Sequence, residues 1–281
     1  MKLLRVGAQG AERPAILDAG GRVRDLSGQV SDFAGDGVSP DALARIAALD
    51  IDRLPVIETS ERIGPCLAWV PNFLCIGLNY ARHAAETGAK EPAEPILFSK
   101  TTSCLSGPND PVIIPRTSLK TDWEVELGVI IGRDTLYVSE ADALGHVAGY
   151  CVINDVSERS FQAERGGQWT KGKSAPSFGP IGPWLVTADE VPDPQTLDLS
   201  LALNGETVQS SNTDDMIFSV RQIVSYLSQF MLLRAGDIIA TGTPSGVGLG
   251  MSPQRFLKPG DVMELTIEGL GTQRQEVVAA S

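Results

Sequence analysis

The segment Trp123–Ile131 (WEVELGVII) does most to limit what this chain can become. Its residues alternate in character, and successive side chains of a strand point to opposite faces. Trp123, Val125, Leu127, Val129 and Ile131 therefore share one apolar face, while Glu124 and Glu126 share the other. The apolar face has to be covered by a core. The other face carries two carboxylates about 7 Å apart along the strand, which repel each other unless solvent or a cation compensates.

A second apolar run, Tyr150–Asn154 (YCVIN), ends at Asp155. If the two strands lie side by side, Asp155 joins Glu124 and Glu126 in a three-oxygen set. All-oxygen ligation suits Mg²⁺, Mn²⁺ or Ca²⁺, with water completing the shell. Spacing alone leaves a plainer arrangement open, in which E-x-E is a solvated strand face and Asp155 caps a following helix.

The chain has two histidines. His83 and Glu86 lie three apart in Tyr80–Thr87, which reads as a short helix stopped by Gly88. A carboxylate beside an imidazole raises its basicity and fixes its orientation, which suits a general base acting on water. An exposed surface pair is the alternative. His146 has no partner nearby in sequence and reads as structural. The segment Trp169–Lys173 offers Lys171 and Lys173. A divalent ion with three carboxylates carries about one net negative charge, so an anionic substrate needs a further cation, and either lysine could supply it or simply be solvated. Thr241–Gly248 (TGTPSGVG) reads as a loop after a strand, with hydroxyl and N–H donors for a carboxylate. It lacks the lysine of a phosphate-binding Walker loop, so nucleotide is not the expected ligand.

Elsewhere the pattern is strand-rich. Lys2–Val6 and Arg13–Leu17 read as strands, Gly20-Gly21 as a turn, and Ser39–Ala48 as a short helix opened by Ser and Pro. Residues 1–66 carry no motif with chemistry and are expected to form a small N-terminal β-rich domain, with 67–281 as the main body. There, Asn72–Gly77 reads as a buried strand and Ala89–Pro95 as a mobile loop. Leu197–Leu203 alternates and runs into Asn204-Gly205, a hairpin signal. Asp215–Leu233 reads as one amphipathic helix capped by Asp214 or Asp215. No β-α-β-α series is expected.

The formal charge of −12 disfavours nucleic acid and anionic membranes as partners. Cys66, Cys75, Cys104 and Cys151 have no C-x-x-C spacing and are expected as small apolar core residues. Met1–Pro14 lacks the apolar run of a signal peptide, and no run approaches the ~18 residues of a membrane span, so a cytoplasmic protein is expected.

Taken in order, these pieces resemble the fumarylacetoacetate hydrolase family over roughly residues 70–270. The segments that carry the resemblance are Cys75-Ile-Gly-Leu-Asn-Tyr-Ala-Arg-His83 with Glu86, Pro95-Ile-Leu-Phe-Ser-Lys100, and Trp123-Glu-Val-Glu-Leu127. Asn154-Asp-Val-Ser-Glu-Arg159, Gln162, Trp169-Thr170 with Lys173, and Thr241-Gly-Thr-Pro244 follow. The resemblance implies a mixed, β-rich α+β protein built on a rolled sheet. It also implies a homodimer with bound Mg²⁺ or Mn²⁺ and a small anionic 2,4-dioxo acid as substrate.

By position, the resemblance makes Glu124, Glu126 and Asp155 the metal ligands. His83 and Glu86 become a water-activating dyad on a lid that orders with substrate. Lys173 and Gln162 become polar groups around the substrate, Thr243 a contact to its carboxylate, and Arg159 an assisting group. Two departures stand out. Ile76 occupies the place where some relatives carry a further aspartate ligand, which leaves three protein ligands plus water. Leu78 stands where acylpyruvase-like relatives often carry arginine. The I-G-L-N-Y form looks like the branch acting on 2,4-diketo-3-deoxy sugar acids (rhamnonate or fuconate), often labelled ureidoglycolate lyase. The implied reaction is hydrolytic C–C cleavage to pyruvate and an acid such as lactate. Alternatives on the same fold are acylpyruvate or fumarylpyruvate hydrolysis, oxaloacetate decarboxylation, isomerisation of an unsaturated oxo acid, and ureidoglycolate lysis. A non-catalytic metal-binding protein is the alternative of another class.

Overall fold

The computed structural model describes residues 1–57 and 61–281. The N-terminal part contains β1 (Lys2–Val6), β2 (Arg13–Leu17), β3 (Val23–Asp25) and α1 (Pro40–Ala47). Ser39 caps α1 by accepting from the Ala42 N–H, and Pro40 fills the first turn, where no N–H is needed. Next come β4 (Phe73–Gly77), α2 (Ala81–Glu86), β5 (Ile96–Lys100), β6 (Leu105–Ser106), β7 (Val112–Ile114), β8 (Thr121–Asp122), β9 (Val125–Ile131), β10 (Val147–Asn154) and β11 (Ser157–Glu158). The chain finishes with α3 (Thr170–Lys173), β12 (Gly179–Thr187), β13 (Asp198–Leu203), β14 (Glu206–Asn212), α4 (Val220–Ser228), β15 (Ile238–Ala240), β16 (Val262–Ile267) and β17 (Gly271–Ala279).

These strands make a mixed, β-rich α+β fold. The main sheet runs β3-β2-β1-β12-β10-β9-β15-β4-β5, with β6 added to β12. A second sheet, β14-β13-β16-β17-β7, packs against it, and β8 pairs with β11. Strand β1 pairs with β12, so the N-terminal β-rich portion extends the main sheet. Asn204 and Gly205 join β13 to β14 with φ of 54° and 82°. Two successive positive values define the type I′ hairpin that Asn-Gly favours.

Strand β9 differs from its reading as a half-apolar strand. All seven of its residues are buried, because sheet neighbours flank it and packing covers both faces. Trp123 is completely buried just before it, its indole N–H donating to the Gly246 carbonyl.

The helix expected over Asp215–Leu233 is also shorter. It covers Val220–Ser228, capped by Ser219 and Gln222 in a reciprocal capping box, and not by Asp214 or Asp215. Met216–Phe218 stay outside because Tyr80 and Asn79 hold them: Met216 bridges to Tyr80, Ile217 N–H donates to the Asn79 carbonyl, and Phe218 N–H donates to the Asn79 side chain. The apolar face of α4, with Val220, Ile223, Val224 and Leu227, is buried as its spacing predicts. All four cysteines are free and buried. No helix of the described residues is long and apolar enough to cross a membrane.

A buried carboxylate triad and its cavity

The β9–β10 register builds the site. Antiparallel pairing sets Glu126 opposite Ile153 and Val125 opposite Asn154. One step further, Asp155 N–H donates to the Glu124 carbonyl at 2.9 Å, so residues 31 apart in sequence become neighbours. Ligand oxygens of Glu124, Glu126 and Asp155 converge within 4.8 Å of one another. Their exposures are 5%, 2% and 0%, which removes the solvated-face alternative. The chain after Asp155 enters β11, so Asp155 caps no helix.

Burying three carboxylates is costly unless cations attend them. Lys173 Nζ lies 2.6 Å from Glu124 Oε2 and 2.6 Å from Asp155 Oδ2. Arg159 Nη2 lies 2.7 Å from Glu124 Oε1 and 2.8 Å from Asp122 Oδ2. Lys100, fully buried, binds Asp155 Oδ1 and also donates to the Val156 carbonyl at 3.2 Å. Burial alone would raise the pKa of Glu124, but Arg159 and Lys173 hold it well below the usual carboxylate range. The Lys173 ammonium is likewise penalised by burial, yet Asp155 and Glu124 push its pKa up.

Glu126 is the exception. Among the described residues it has no ion-pair partner, and its one hydrogen bond is from Gly242 N–H at 2.8 Å. Burial, and then the charges of Asp155 and Glu124, push its pKa well above the usual range. A hard divalent cation among the three oxygens would supply the positive charge that Glu126 lacks, so the donor set fits Mg²⁺ or Mn²⁺.

A cavity of about 280 Å³ opens over the triad. His83, Arg159, Gln162, Lys173 and Thr243 all line it, so residues read separately from the sequence meet in one place. His83 is buried, with Nδ1 3.3 Å from Glu86 Oε2, which excludes the exposed-pair alternative. Glu86 is itself anchored by Gly246 N–H at 3.0 Å. Of the two lysines, Lys173 enters the cavity, whereas Lys171 is exposed and donates to the Arg165 carbonyl. Gln162 accepts from Arg159 Nη1 at 3.2 Å. Thr243 donates to the Val125 carbonyl and accepts from Gln209. His146 lies apart, with Nδ1 2.8 Å from Thr135 Oγ1.

The Thr241–Gly248 loop departs from expectation. Its amides serve the protein's own carboxylates: Gly242 N–H binds Glu126, Gly246 N–H binds Glu86, and Gly248 N–H binds Asp122. Sequence reasoning gave no role to Lys100 or Asp122. Lys100 ends an apolar strand and Asp122 stands two residues before Glu124, a faint signal that only the tertiary contacts make meaningful.

A model of the fumarylacetoacetate (FAA) hydrolase C-terminal region matches residues 72–278. The chain belongs to the fumarylacetoacetate hydrolase family. Its relatives include a protein of Burkholderia cenocepacia (strain HI2424) named only "putative hydrolase", 58% identical over 98% of both chains. The solved fumarylacetoacetate hydrolase of Exiguobacterium antarcticum is 36% identical, covers both chains completely and superposes with a TM-score of 0.88. The maleylpyruvate hydrolase of Sphingobium sp. SYK-6, solved with manganese(II) and pyruvate, is 27% identical over both whole chains with a TM-score of 0.83. This fumarylacetoacetate hydrolase family member is thus an enzyme, and its carboxylate triad sits within the residues that the family model spans.

Proposed function

We propose that this enzyme is a divalent-metal-dependent hydrolase that cleaves the C3–C4 bond of a 2,4-dioxo acid, giving pyruvate and a second carboxylic acid. The observation that carries the reading is a single cavity lined by the triad, His83, Arg159, Gln162, Lys173 and Thr243. Mg²⁺ or Mn²⁺ held by Glu124, Glu126 and Asp155 would supply Lewis-acid polarisation and offset the negative charge that develops on the substrate. The relative solved with manganese(II) and pyruvate supports this cofactor class.

His83, oriented through Nδ1 by Glu86, takes a proton from water with its other ring nitrogen as the water attacks C4. Gln162 and Lys173 donate to the oxygen on C4 as it becomes anionic. An ammonium has three N–H donors, and two of those on Lys173 are engaged, which leaves one for the substrate. Thr243 contacts the substrate carboxylate once its hydroxyl turns from the Val125 carbonyl it serves here, with Arg159 assisting. Collapse of the adduct breaks C3–C4, and its electron pair leaves with C3 as a pyruvate enolate that is then protonated. One water is consumed, and the acyl part departs as a carboxylic acid.

Within this class, 2,4-diketo-3-deoxy-L-rhamnonate or -fuconate is the substrate that the I-G-L-N-Y segment favours, with lactate as the second product. The test is to incubate metal-loaded and chelator-treated enzyme with a panel of 2,4-dioxo acids, measure pyruvate by coupled reduction and identify the second acid. Metal-dependent pyruvate release with an equimolar acid supports hydrolysis. Pyruvate with CO₂ from oxaloacetate, or an isomer with no pyruvate, would replace it with enolate chemistry that needs no attacking water. We also infer a division into units 1–66 and 67–281, supported by a family match that begins at residue 72, and a homodimer, which light scattering would test.

A further inference from the structure

The cavity has two chemically distinct parts. One carries the triad and its cations. The other is aliphatic and aromatic: Ile76, Leu78, Phe98, Ala163, Trp169 and Leu249. The Phe98 and Trp169 rings meet edge to face, with centroids 5.2 Å apart, and Lys173 Nζ stands 5.1 Å from the Phe98 ring, where the two parts join. Trp169 lies directly across Gly77, where a Cβ would come within 2.5 Å of the indole. Leu78 holds φ at 52°, a left-handed conformation that L side chains rarely adopt, and it lines the wall.

Charge points the same way. Both cations lining the cavity already have acidic partners: Lys173 has Glu124 and Asp155, and Arg159 has Asp122 and Glu124. Three lining carboxylates against Lys173 and Arg159 leave one negative charge. A divalent ion reverses this to one positive charge, enough for one substrate carboxylate. A second carboxylate, on the substrate tail, would lose its hydration at the apolar wall without gaining a partner there.

We propose that the wall formed by Leu78, Phe98, Trp169 and Leu249 is the tail subsite, and that it selects monocarboxylic dioxo acids with an uncharged, apolar-ended tail and rejects dicarboxylic ones. The inference rests on the oxo-acid reading for the head of the ligand. It separates this chain from its manganese-bound relative, whose named substrate, maleylpyruvate, is a dicarboxylate.

Two measurements test it. The first compares kcat/KM for 2,4-dioxo acids with acetyl, lactoyl, benzoyl and fumaryl tails on the metal-loaded enzyme. Uncharged tails should exceed fumaryl by at least about tenfold, and Ala163→Lys, at the exposed mouth, should narrow that gap by improving fumaryl alone. The second measures binding by calorimetry, which needs no turnover. Phenylpyruvate should bind the Mn²⁺-loaded protein at least about tenfold more tightly than 2-oxoadipate, and Trp169→Ala should erase the difference. Equal or better use of fumarylpyruvate, or tighter binding of 2-oxoadipate, overturns the tail proposal. No cleavage of any dioxo acid, with the binding preference intact, overturns the hydrolase reading and leaves the subsite standing.

Discussion

Lys173 bridges Glu124 and Asp155, its Nζ 2.6 Å from an oxygen of each. One ammonium therefore pairs with two of the three carboxylates from within the cavity. Lys173→Met should lower kcat about 10²–10³-fold, the range for loss of one donor to a developing oxyanion. Mn²⁺ titration by calorimetry should still show one site. A variant with near-normal kcat would remove Lys173 from the chemistry.

His83→Ala should lower kcat about 10²–10⁴-fold, the usual contribution of a positioned general base. Metal binding should survive, because His83 touches none of the three carboxylates through a hydrogen bond. Glu86→Gln keeps the anchor to Gly246 but weakens support for the imidazole, so its loss should be smaller. Steady-state kinetics beside metal titration separates these outcomes.

Metal should raise thermal stability, since Glu126 is buried without a cationic partner among the described residues. At a hundred times its Kd, a ligand that binds only the folded state adds about 2.7 kcal/mol. The melting temperature should rise with Mn²⁺ and fall again with chelator. Glu126→Gln should melt higher than wild type when metal-free and respond weakly to Mn²⁺. An unchanged response would take Glu126 out of the ligand set.

Acid should weaken the contact between the N-terminal portion and the main body. Burial raises the pKa of Glu12, but hydrogen bonding to Arg62 and the charges of Arg5 and Arg62 outweigh it, leaving the group below its ordinary 4.5. Arg62 also grips Asp110 in the main body. A lowered folded pKa means stability that is present above about pH 4.5 and lost as pH falls through the folded value. Arg62→Gln should cost about 1–3 kcal/mol at pH 7 and flatten the stability–pH curve between pH 5 and 3, read by denaturant melts. A curve as steep as wild type would assign the acid sensitivity to other carboxylates.

Gly172→Ala should lower both stability and activity. A Cβ there would lie 2.5 Å from the Gln162 backbone nitrogen, which has nowhere to move without opening the turn that carries Gln162 away from Lys173. A loss of about 1–3 kcal/mol by chemical denaturation, together with a tenfold fall in kcat/KM, is the expected result.

Local chemistry was readable wherever neighbours in sequence decide it. Ser39-Pro40 starts α1 and Asn204-Gly205 turns the β13–β14 hairpin because their backbone preferences need no tertiary help. The segment after Asp215 differs, since Ile217 continues the apolar spacing of α4 by coincidence while Asn79, far away in sequence, holds its backbone outside the helix. The triad fell between these cases. Glu124 and Glu126 announce a repulsion that needs a remedy, but the remedy depends on the β9–β10 register and on Lys173, Arg159 and Lys100, brought in from three other segments. Lys100 meets Asp155 across 55 residues, which no local pattern records.

The loop from Thr241 to Gly248 hands one amide to Glu126, one to Glu86 and one to Asp122, the partner of Arg159. Three roles thus hang on a single stretch of main chain whose contribution no side-chain replacement can tune separately. A one-residue insertion there would disturb all three together. The aliphatic wall is different, because Leu78, Phe98, Trp169 and Leu249 come from separate segments and can change one at a time. A chain built this way can drift in what it accepts far more readily than in what it does.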